Sequence, residues 1–309
     1  MTSVTNGIYL GSRGADFKNM IMTLLNRGNL KAKYIEILTN SNSMEYYGHA
    51  FTSRTADPVN NYERFEQIGD VTANKFIVWY SYRRFPQLDC TAGVKVVARL
   101  RINYGAKQFF GPLGEKLGFW PFISAAEEGT ERNQYYRNLN KKDLLEDCVE
   151  SFIGCTEYLL DNFFRPGVGY AIVYDILSSI FDEIDMSLAY EDLYDSKTRL
   201  KETFDLFKEQ LGGWYFLDVR QELDYGHTIA TSRLYQIPVG SYNEPLKRSI
   251  RGQQESIIEP RPDWVLIGTG NASKKNDAQQ QAAERGILTL KANGYYKNPP
   301  KEYSYFCNF

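Results

Sequence analysis

The residues of this sequence best suited to chemistry are acids that lie within two helical patterns. The first segment, NYERFEQIGDV, carries Glu63, Glu66 and Asp70. Their i, i+3 and i+7 spacing, at 100° per residue, puts all three carboxylates on one helix face within about one sixth of a turn. The second segment, LLEDCVESFIGC, carries Asp147 and Glu150 at i and i+3. The spacing predicts five carboxylates on two helices, placed so that they could converge at one point.

Acids clustered on one face need a positive neighbour, because like charges at this distance repel one another. Neither segment places a Lys or Arg four residues away on the acidic face, and only the neighbouring Arg64 could reach it. Clustered carboxylate oxygens are the ligands that Mg²⁺ prefers, and a bound ion can activate water and stabilise a phosphoryl transition state. The residues alone leave two interpretations open: a solvated charged helix face, or the metal site of a hydrolase acting on phosphate esters.

Helical patterns surround these acids throughout the first part of the chain. Apolar residues recur at helical spacing, and Pro166 with Gly167 separates the last two helices. The apolar pattern lapses at 188–196, so we expect a helical domain over 1–190 and a domain boundary just after it. The predicted helices span about 16–26, 31–39, 43–51, 61–83, 91–117, 139–164 and 168–184.

The second part of the chain, 195–292, has an α-β-β-β-α pattern. A helix to about Leu211 precedes three strands, and an insertion at about 238–263 separates the second strand from the third. Small residues recur every four positions in the final helix, which lets that helix lie close on a sheet. An aromatic tail, 293–309, follows it. The predicted strands are 214–223, 228–237 and 264–267, and the small-residue stripe with its apolar end is Ala278, Ala282, Gly286 and Leu290.

The composition is typical of a protein with two modest domains that stays inside the cell. The 309 residues are 43% hydrophobic and 15% aromatic, which is enough apolar surface for folded cores. The start lacks a secretory pattern, no window approaches a membrane span, and four cysteines show no CxxC spacing. Two histidines, His49 and His227, disfavour Ser-His-Asp hydrolases and His-based zinc sites. We expect an intracellular, most simply cytoplasmic, protein without a membrane anchor.

The two acidic segments resemble the motifs of the ribonuclease III family. NNYERFEQIGD is similar to the family's signature and DLLEDCVESFIGC to its second acidic helix, in the right order and at about the right separation. The likeness covers most of 34–165. It implies an all-α endonuclease domain whose carboxylates bind Mg²⁺, for which Mn²⁺ can substitute, and position water for cleavage of double-stranded RNA into 5′-phosphate and 3′-hydroxyl ends. The resemblance implies metal ligation by Glu66, Asp70, Asp147 and Glu150, whereas Glu63 would shape the site or the water shell of a second metal.

Two positions depart from the family's pattern. Many members carry a further acid shortly after the FP that follows the signature helix, where this chain has Cys90, although Asp89 is adjacent and could substitute. The family often has Phe after the signature's second Glu, used in the contact between two subunits, and this chain has Gln67. With one catalytic domain per chain, the resemblance implies a homodimer that cuts both strands.

The second part of the chain resembles a double-stranded-RNA-binding domain. DSKTRLKE begins it, and SKK precedes the last helix. The resemblance implies that Thr198, Lys201 and His227 reach minor grooves, while free backbone N–H groups at the start of a helix support phosphate binding by Lys274 and Lys275. GTGNAS is not a nucleotide-binding loop, because it lacks the GxGxxG and GK[ST] patterns. In the insertion, Lys247, Arg248 and Arg251 are expected to be solvated.

Two other classes of function stay open at this point. A non-cleaving protein that binds and sequesters RNA duplexes would explain Cys90 and Gln67, but retention of all five acids argues against it. The second alternative is a metal-binding scaffold that does not act on RNA. In that case, replacing Lys274 and Lys275 would leave duplex binding unchanged. The sequence identifies neither the natural RNA nor the pathway.

Overall fold

The computed structural model describes residues 7–127, 136–212, 215–224, 227–241 and 260–306. The chain divides into two compact units, Met1–Leu188 and Ala189–Asn308, and each is described by itself. Among the described residues, every helix is too short or too polar to cross a membrane. The predicted insertion lies mostly outside the described residues, and so do Lys247, Arg248 and Arg251.

Nine helices occur among the described residues of the first unit, and two long ones cross at its centre. Apolar side chains from the other helices form a core around that pair, which includes Phe17, Leu25, Tyr47 and Phe110. The helices are α1 (Ala15–Asn26), α2 (Ala32–Leu38), α3 (Ser41–Ala50), α4 (Glu63–Arg84), α5 (Gly93–Tyr104), α6 (Lys107–Lys116), α7 (Tyr136–Leu139), α8 (Lys141–Phe163) and α9 (Val168–Phe181).

The central helices α4 and α8 meet at two glycines, which let their backbones touch. A Cβ atom on Gly69 would lie 1.8 Å from the carbonyl oxygen of Glu150. A Cβ atom on Gly154 would lie 2.0 Å from the carbonyl oxygen of Phe65. No side chain larger than hydrogen fits at either position, so the acid-bearing segments of both helices are held against each other.

Two predictions for the first unit were wrong in detail. The helix expected over 91–117 is two helices, because α5 ends at Tyr104 and α6 begins at Lys107 after Gly105 and an extended Ala106. The unit is also not entirely helical, since β1 (Ile8–Tyr9) pairs antiparallel with β2 (Ala125–Ala126). Strands of two residues are too short to produce an alternating sequence pattern.

Arg13 connects three separate segments of the first unit. Its guanidinium donates hydrogen bonds to the carbonyl oxygens of Phe51 and Phe122 and to the hydroxyls of Thr52 and Ser124. Burial lowers the pKa of Arg13, and no acid forms an ion pair with it among the described residues. The side chain therefore acts as a multiple hydrogen-bond donor that fixes backbone carbonyls.

Replacing Arg13 by Ala is expected to destabilise the first unit by about 1–3 kcal/mol, because the freed carbonyls and hydroxyls stay buried without donors. Thermal unfolding followed by circular dichroism measures the change. Lys95→Ala, at an exposed position of α5, is the matched control and should leave the midpoint unchanged. Equal midpoints for the Arg13→Ala variant and the control would contradict this role.

The second unit has the predicted order of a helix, three strands and a helix. Its strands form an antiparallel sheet in the order β3-β4-β5, in which His227 pairs with Asp224 and Gln236 pairs with both Tyr215 and Val265. Its elements are α10 (Tyr190–Leu193), α11 (Ser196–Leu206), α12 (Lys208–Leu211), β3 (Tyr215–Asp224), β4 (His227–Gln236), β5 (Val265–Ala272), α13 (Lys275–Ala292) and α14 (Lys301–Phe306).

Helix α13 lies directly on the sheet, as its stripe of small residues predicts. Ala278, Ala282 and Gly286 are buried on the contacting face. The third strand is longer than expected and runs to Ala272, so the glycines of GTGNAS belong to a strand. A Cβ atom on Gly268 would lie 2.2 Å from the carbonyl oxygen of Ala282. Close packing against a helix explains this glycine, in agreement with the rejection of a nucleotide loop.

The aromatic tail packs against the beginning of the second unit. In α14, Tyr303 and Phe306 are 2% and 1% exposed. The ring of Tyr303 contacts the ring of Tyr190 at a centroid distance of 5.5 Å, and its hydroxyl donates to the hydroxyl of Tyr194 at 2.9 Å. Lys297 adds an ion pair with Glu202 at 2.6 Å. The described part of the tail, up to Phe306, therefore packs as part of the folded second unit.

Candidate active site

The five predicted acids lie on α4 and α8, at the point where these helices cross. Glu150 is almost completely buried, at 7% exposure, although it carries a carboxyl group. Glu66 and Asp147 are half-buried, while Glu63 and Asp70 are exposed. The crossing at Gly69 puts the Glu150 backbone against the turn of α4 that lies between Glu66 and Asp70. The acids thus form one cluster with a buried centre and exposed margins.

The pKa values of three of the acids are raised, first by burial and then by repulsion from neighbouring acids. Burial, with added repulsion from Asp147, Glu63 and Asp70, raises the pKa of Glu66 to about 7. Burial, with repulsion first from Asp70 and then from other acids, raises the pKa of Glu150 to about 8. Burial also raises the pKa of Asp147. These carboxyl groups are therefore buried or half-buried acids that lie close to other acids.

Two further charged residues lie at the cluster that the sequence pattern did not indicate. Glu146 stands one turn before Glu150 on α8, and burial raises its pKa to about 7 although Lys107 acts in the opposite direction. Lys107 begins α6, lies 3.9 Å from Glu146 and forms an ion pair with Asp143. The i, i+4 spacing of Glu146 and Glu150 was available in the sequence. The approach of Lys107 was not, because a different helix supplies it.

The two exposed acids at the edge of the cluster each have a polar or charged partner. Asn74 donates to the Asp70 carboxylate at 2.7 Å, and Arg54 forms an exposed ion pair with Glu63 at 3.3 Å. Arg64, which the sequence suggested as a neighbour of the acids, instead lies over the rings of Phe65 and Tyr158 at 4.7 and 4.6 Å. The acid cluster therefore keeps most of its negative charge uncompensated.

The carboxylates of the cluster are suitable ligands for a divalent cation, but their side chains are not arranged around one metal position. Among the described residues, no three His, Cys, Asp or Glu side chains are arranged so that they could hold a metal ion. The donors themselves are all carboxylates, the type that hard cations such as Mg²⁺ and Mn²⁺ prefer. Burial first, and then repulsion between the acids, raises their pKa values, and a bound cation would relieve that repulsion. The predicted ligands fit the ion by chemistry and by charge.

These raised pKa values predict that the metal-free protein loses stability as pH rises. The folded-state pKa values of Glu66, Glu146 and Glu150, at about 7, 7 and 8, exceed the ordinary 4.5, so folding takes up protons between pH 5 and 8. In EDTA, the thermal midpoint of the first unit should fall across this range. Glu150→Gln should flatten the fall, and excess Mg²⁺ should reduce it. A midpoint that rises steadily from pH 5 to 8 would contradict the assignment.

The two departures from the family pattern are at exposed positions. Cys90 is exposed after the short turn Pro86–Leu88, and its sulfur accepts a hydrogen bond from the Gly93 backbone at 3.4 Å. Gln67 is exposed on α4.

The residues predicted to bind RNA all belong to the second unit. Lys274 and Lys275 are exposed at the start of α13, and Lys201 is exposed on α11. Thr198 lies in the first turn of α11, where its hydroxyl donates to the Asp195 carboxylate at 2.7 Å. The backbone of His227 begins β4, where it pairs with Asp224 at the end of β3. The two helix starts and the beginning of β4 thus belong to one compact unit.

Two viral relatives of the chain carry the same name. A "Putative ribonuclease 3" of Invertebrate iridescent virus 6 is 42% identical over 295 residues, covering 92% of this chain and 90% of the viral protein. A protein of the same name from Frog virus 3 is 38% identical over 269 residues, which cover 87% of this chain and 61% of that protein. The nuclease domain of ribonuclease III from Campylobacter jejuni aligns at TM-score 0.39 and 20% identity, covering 54% of this chain and 99% of that chain. No protein-family model matches the chain.

Proposed function

The chain belongs to the ribonuclease III family and is an endoribonuclease, and from this premise we propose that it hydrolyses double-stranded RNA with the help of Mg²⁺. The cleavage would leave 5′-phosphate and 3′-hydroxyl ends, and Mn²⁺ could replace Mg²⁺. The observation that carries the proposal is the acid cluster at the α4–α8 crossing, with its raised pKa values and few positive partners.

Glu66, Asp70, Asp147 and Glu150 are the residues that would hold the cation, with Glu63 at the exposed margin. When bound, the cation would lower the pKa of water and stabilise charge on the phosphodiester. The chain itself supplies rigidity, because Glu150 is buried and the Gly69 contact fixes both helices. It also supplies Lys107, which limits repulsion at the Asp143 end of the cluster.

Incubation of the purified protein with a long, end-labelled RNA duplex tests the proposal directly. Shortening in Mg²⁺ that is absent in EDTA supports it, and mapping of the ends tests the 5′-phosphate and 3′-hydroxyl assignment. Duplex binding without cutting in either Mg²⁺ or Mn²⁺ would instead favour the sequestering protein. The five retained acids and the name shared by the relatives argue against that alternative.

The second unit is proposed to be a double-stranded-RNA-binding domain. Its α-β-β-β-α order and its exposed lysines at the start of α13 support this assignment. A-form RNA hides its bases in a narrow major groove, so a protein must grip phosphates and 2′-hydroxyls at fixed spacing. Lys274 and Lys275 would take phosphates, while Thr198, Lys201 and His227 would contact minor grooves.

Replacing Lys274 and Lys275 together by Ala should weaken duplex binding and reduce the slope of log K against log salt by about 2, because each lysine releases about one counterion. Fluorescence anisotropy at four salt concentrations measures this slope. Lys208→Ala with Lys291→Ala removes the same charge from other exposed positions of the unit and is the control. Binding that ignores the Lys274 and Lys275 changes would count against this RNA interface.

A homodimer is proposed from the single catalytic domain per chain. One cluster cuts one strand, so a pair of chains would cut both strands of a duplex. Sedimentation of the full chain at micromolar concentration tests the dimer. A strictly monomeric chain that makes only single-strand nicks would contradict it.

A further inference from the structure

Tyr62 connects the acid cluster to the loop that precedes α4. Its side chain is 6% exposed, and its hydroxyl donates a hydrogen bond to Oδ2 of Asp147 at 2.7 Å. The partners are 85 residues apart in sequence, so the contact joins the start of one central helix to the middle of the other. A buried tyrosine aimed at a carboxylate is a fixed donor, since a ring with two torsions has little freedom.

The position of this hydroxyl is itself fixed by the loop. The Tyr62 backbone N–H donates to the carbonyl oxygen of Thr52 at 2.9 Å. The Ser53 backbone N–H donates to the carbonyl oxygen of Ser124 at 2.8 Å. Arg13 holds the same loop through the Thr52 and Ser124 hydroxyls. Successive hydrogen bonds therefore link Arg13 to Thr52, Thr52 to Tyr62 and Tyr62 to Asp147.

A neutral donor is the type of partner that this carboxylate needs. Asp147 is half-buried among other acids, and a Lys or Arg in the place of Tyr62 would neutralise the charge that attracts a cation. The tyrosine O–H satisfies one carboxylate oxygen and adds no positive charge. It also restrains rotation of the carboxylate, so that the direction of its second oxygen is defined.

We propose that Tyr62 is a positioning residue that keeps Oδ2 of Asp147 occupied and presents Oδ1 to a divalent cation. This inference rests on the proposed function, because it requires the acid cluster to bind such a cation. It predicts that the Tyr62 hydroxyl contributes to cation affinity and leaves duplex binding unaffected.

The test compares Tyr62→Phe with Tyr47→Phe in the full chain. Tyr47 is fully buried, and its hydroxyl shares a hydrogen bond with Thr156 at 3.0 Å, so Tyr47→Phe removes an equally buried hydroxyl without touching an acid. Calorimetric titration with Mn²⁺ should show affinity about tenfold or more weaker for Tyr62→Phe, the usual cost of losing a partner that orients a metal ligand. Tyr47→Phe should bind Mn²⁺ as the unchanged protein does.

Cleavage gives the second measurement. For Tyr62→Phe, the Mg²⁺ concentration at half-maximal rate should rise about tenfold, and saturating Mg²⁺ should restore most of the rate. Unchanged Mn²⁺ affinity in Tyr62→Phe would overturn the inference, and so would equal weakening in Tyr47→Phe, which would indicate general destabilisation.

These outcomes separate the inference from the function on which it rests. A protein that binds Mn²⁺ but cuts no duplex would contradict the proposed function, while the calorimetric comparison would still decide the role of Tyr62. A protein that binds no Mn²⁺ at all would contradict both.

Discussion

Asp147→Asn is expected to lower the rate of RNA cleavage by roughly 1,000-fold or more while leaving the fold and duplex binding intact. Asparagine has nearly the shape of aspartate and can still accept the hydrogen bond from Tyr62, so packing at the helix crossing should not change. What it lacks is the negative charge with which the carboxylate would hold a cation, and direct cation ligands matter more than the partners that orient them. Single-turnover cleavage at saturating protein measures this loss.

Asp16→Asn is the control for that result. Asp16 is exposed in the first turn of α1, and the same amide replacement there should leave the cleavage rate unchanged. Anisotropy with the labelled duplex should give the same affinity for both variants. Cleavage by Asp147→Asn within tenfold of the unchanged protein would remove Asp147 from the site, and loss of duplex binding would contradict the division of labour between the units.

Gly154→Ala should be the most destabilising of the single changes considered, although it adds only one methyl group. The new Cβ atom would lie 2.0 Å from the carbonyl oxygen of Phe65 and 2.7 Å from the amide nitrogen of Gly69. Backbone atoms cannot rotate away as a side chain does, so α4 and α8 must separate. We expect a loss of about 3 kcal/mol or more and a fall of roughly 6–12 °C in the thermal midpoint.

Gly14→Ala is the matched control, because a Cβ atom there meets nothing within 4 Å. Gly14 is the N-cap of α1, where alanine is less favourable than glycine, so the midpoint should fall by far less than in Gly154→Ala. Separation of the helices would also move Glu66 away from Glu150, so Gly154→Ala should cut RNA more slowly even below its melting temperature. A midpoint for Gly154→Ala within 2 °C of the control would show that α4 and α8 can separate without a measurable loss in the free energy of unfolding.

The sequence was sufficient to find the acids because their spacing within each helix determines which face they share. The helical period alone is enough to place Glu63, Glu66 and Asp70 on one face. The same holds for the small residues of α13. The order of elements in the second unit followed in the same way from its change of period. Features that depend on one local repeat could therefore be predicted.

Contacts between distant elements could not be predicted in this way. Lys107, Tyr62 and Arg13 reach their partners across 36, 85 and 111 residues, and no local pattern encodes which helices will touch. The break at Gly105 was missed because its flanking residues continue the apolar pattern. The docking of Tyr303 was missed because an aromatic residue outside a periodic segment gives no indication of its partner.

The contact of α14 with Tyr190 has a consequence for protein engineering. Because Tyr303 packs beside Tyr190, the polypeptide enters and leaves the second unit at nearly the same place. Folded modules with adjacent ends tolerate insertion into a surface loop of another protein. Residues 189–306 should therefore fold when both ends are grafted into one loop of a carrier, and a separate melting transition of the graft would show it. Such a graft would allow the RNA binding proposed for this unit to be measured away from the acid cluster.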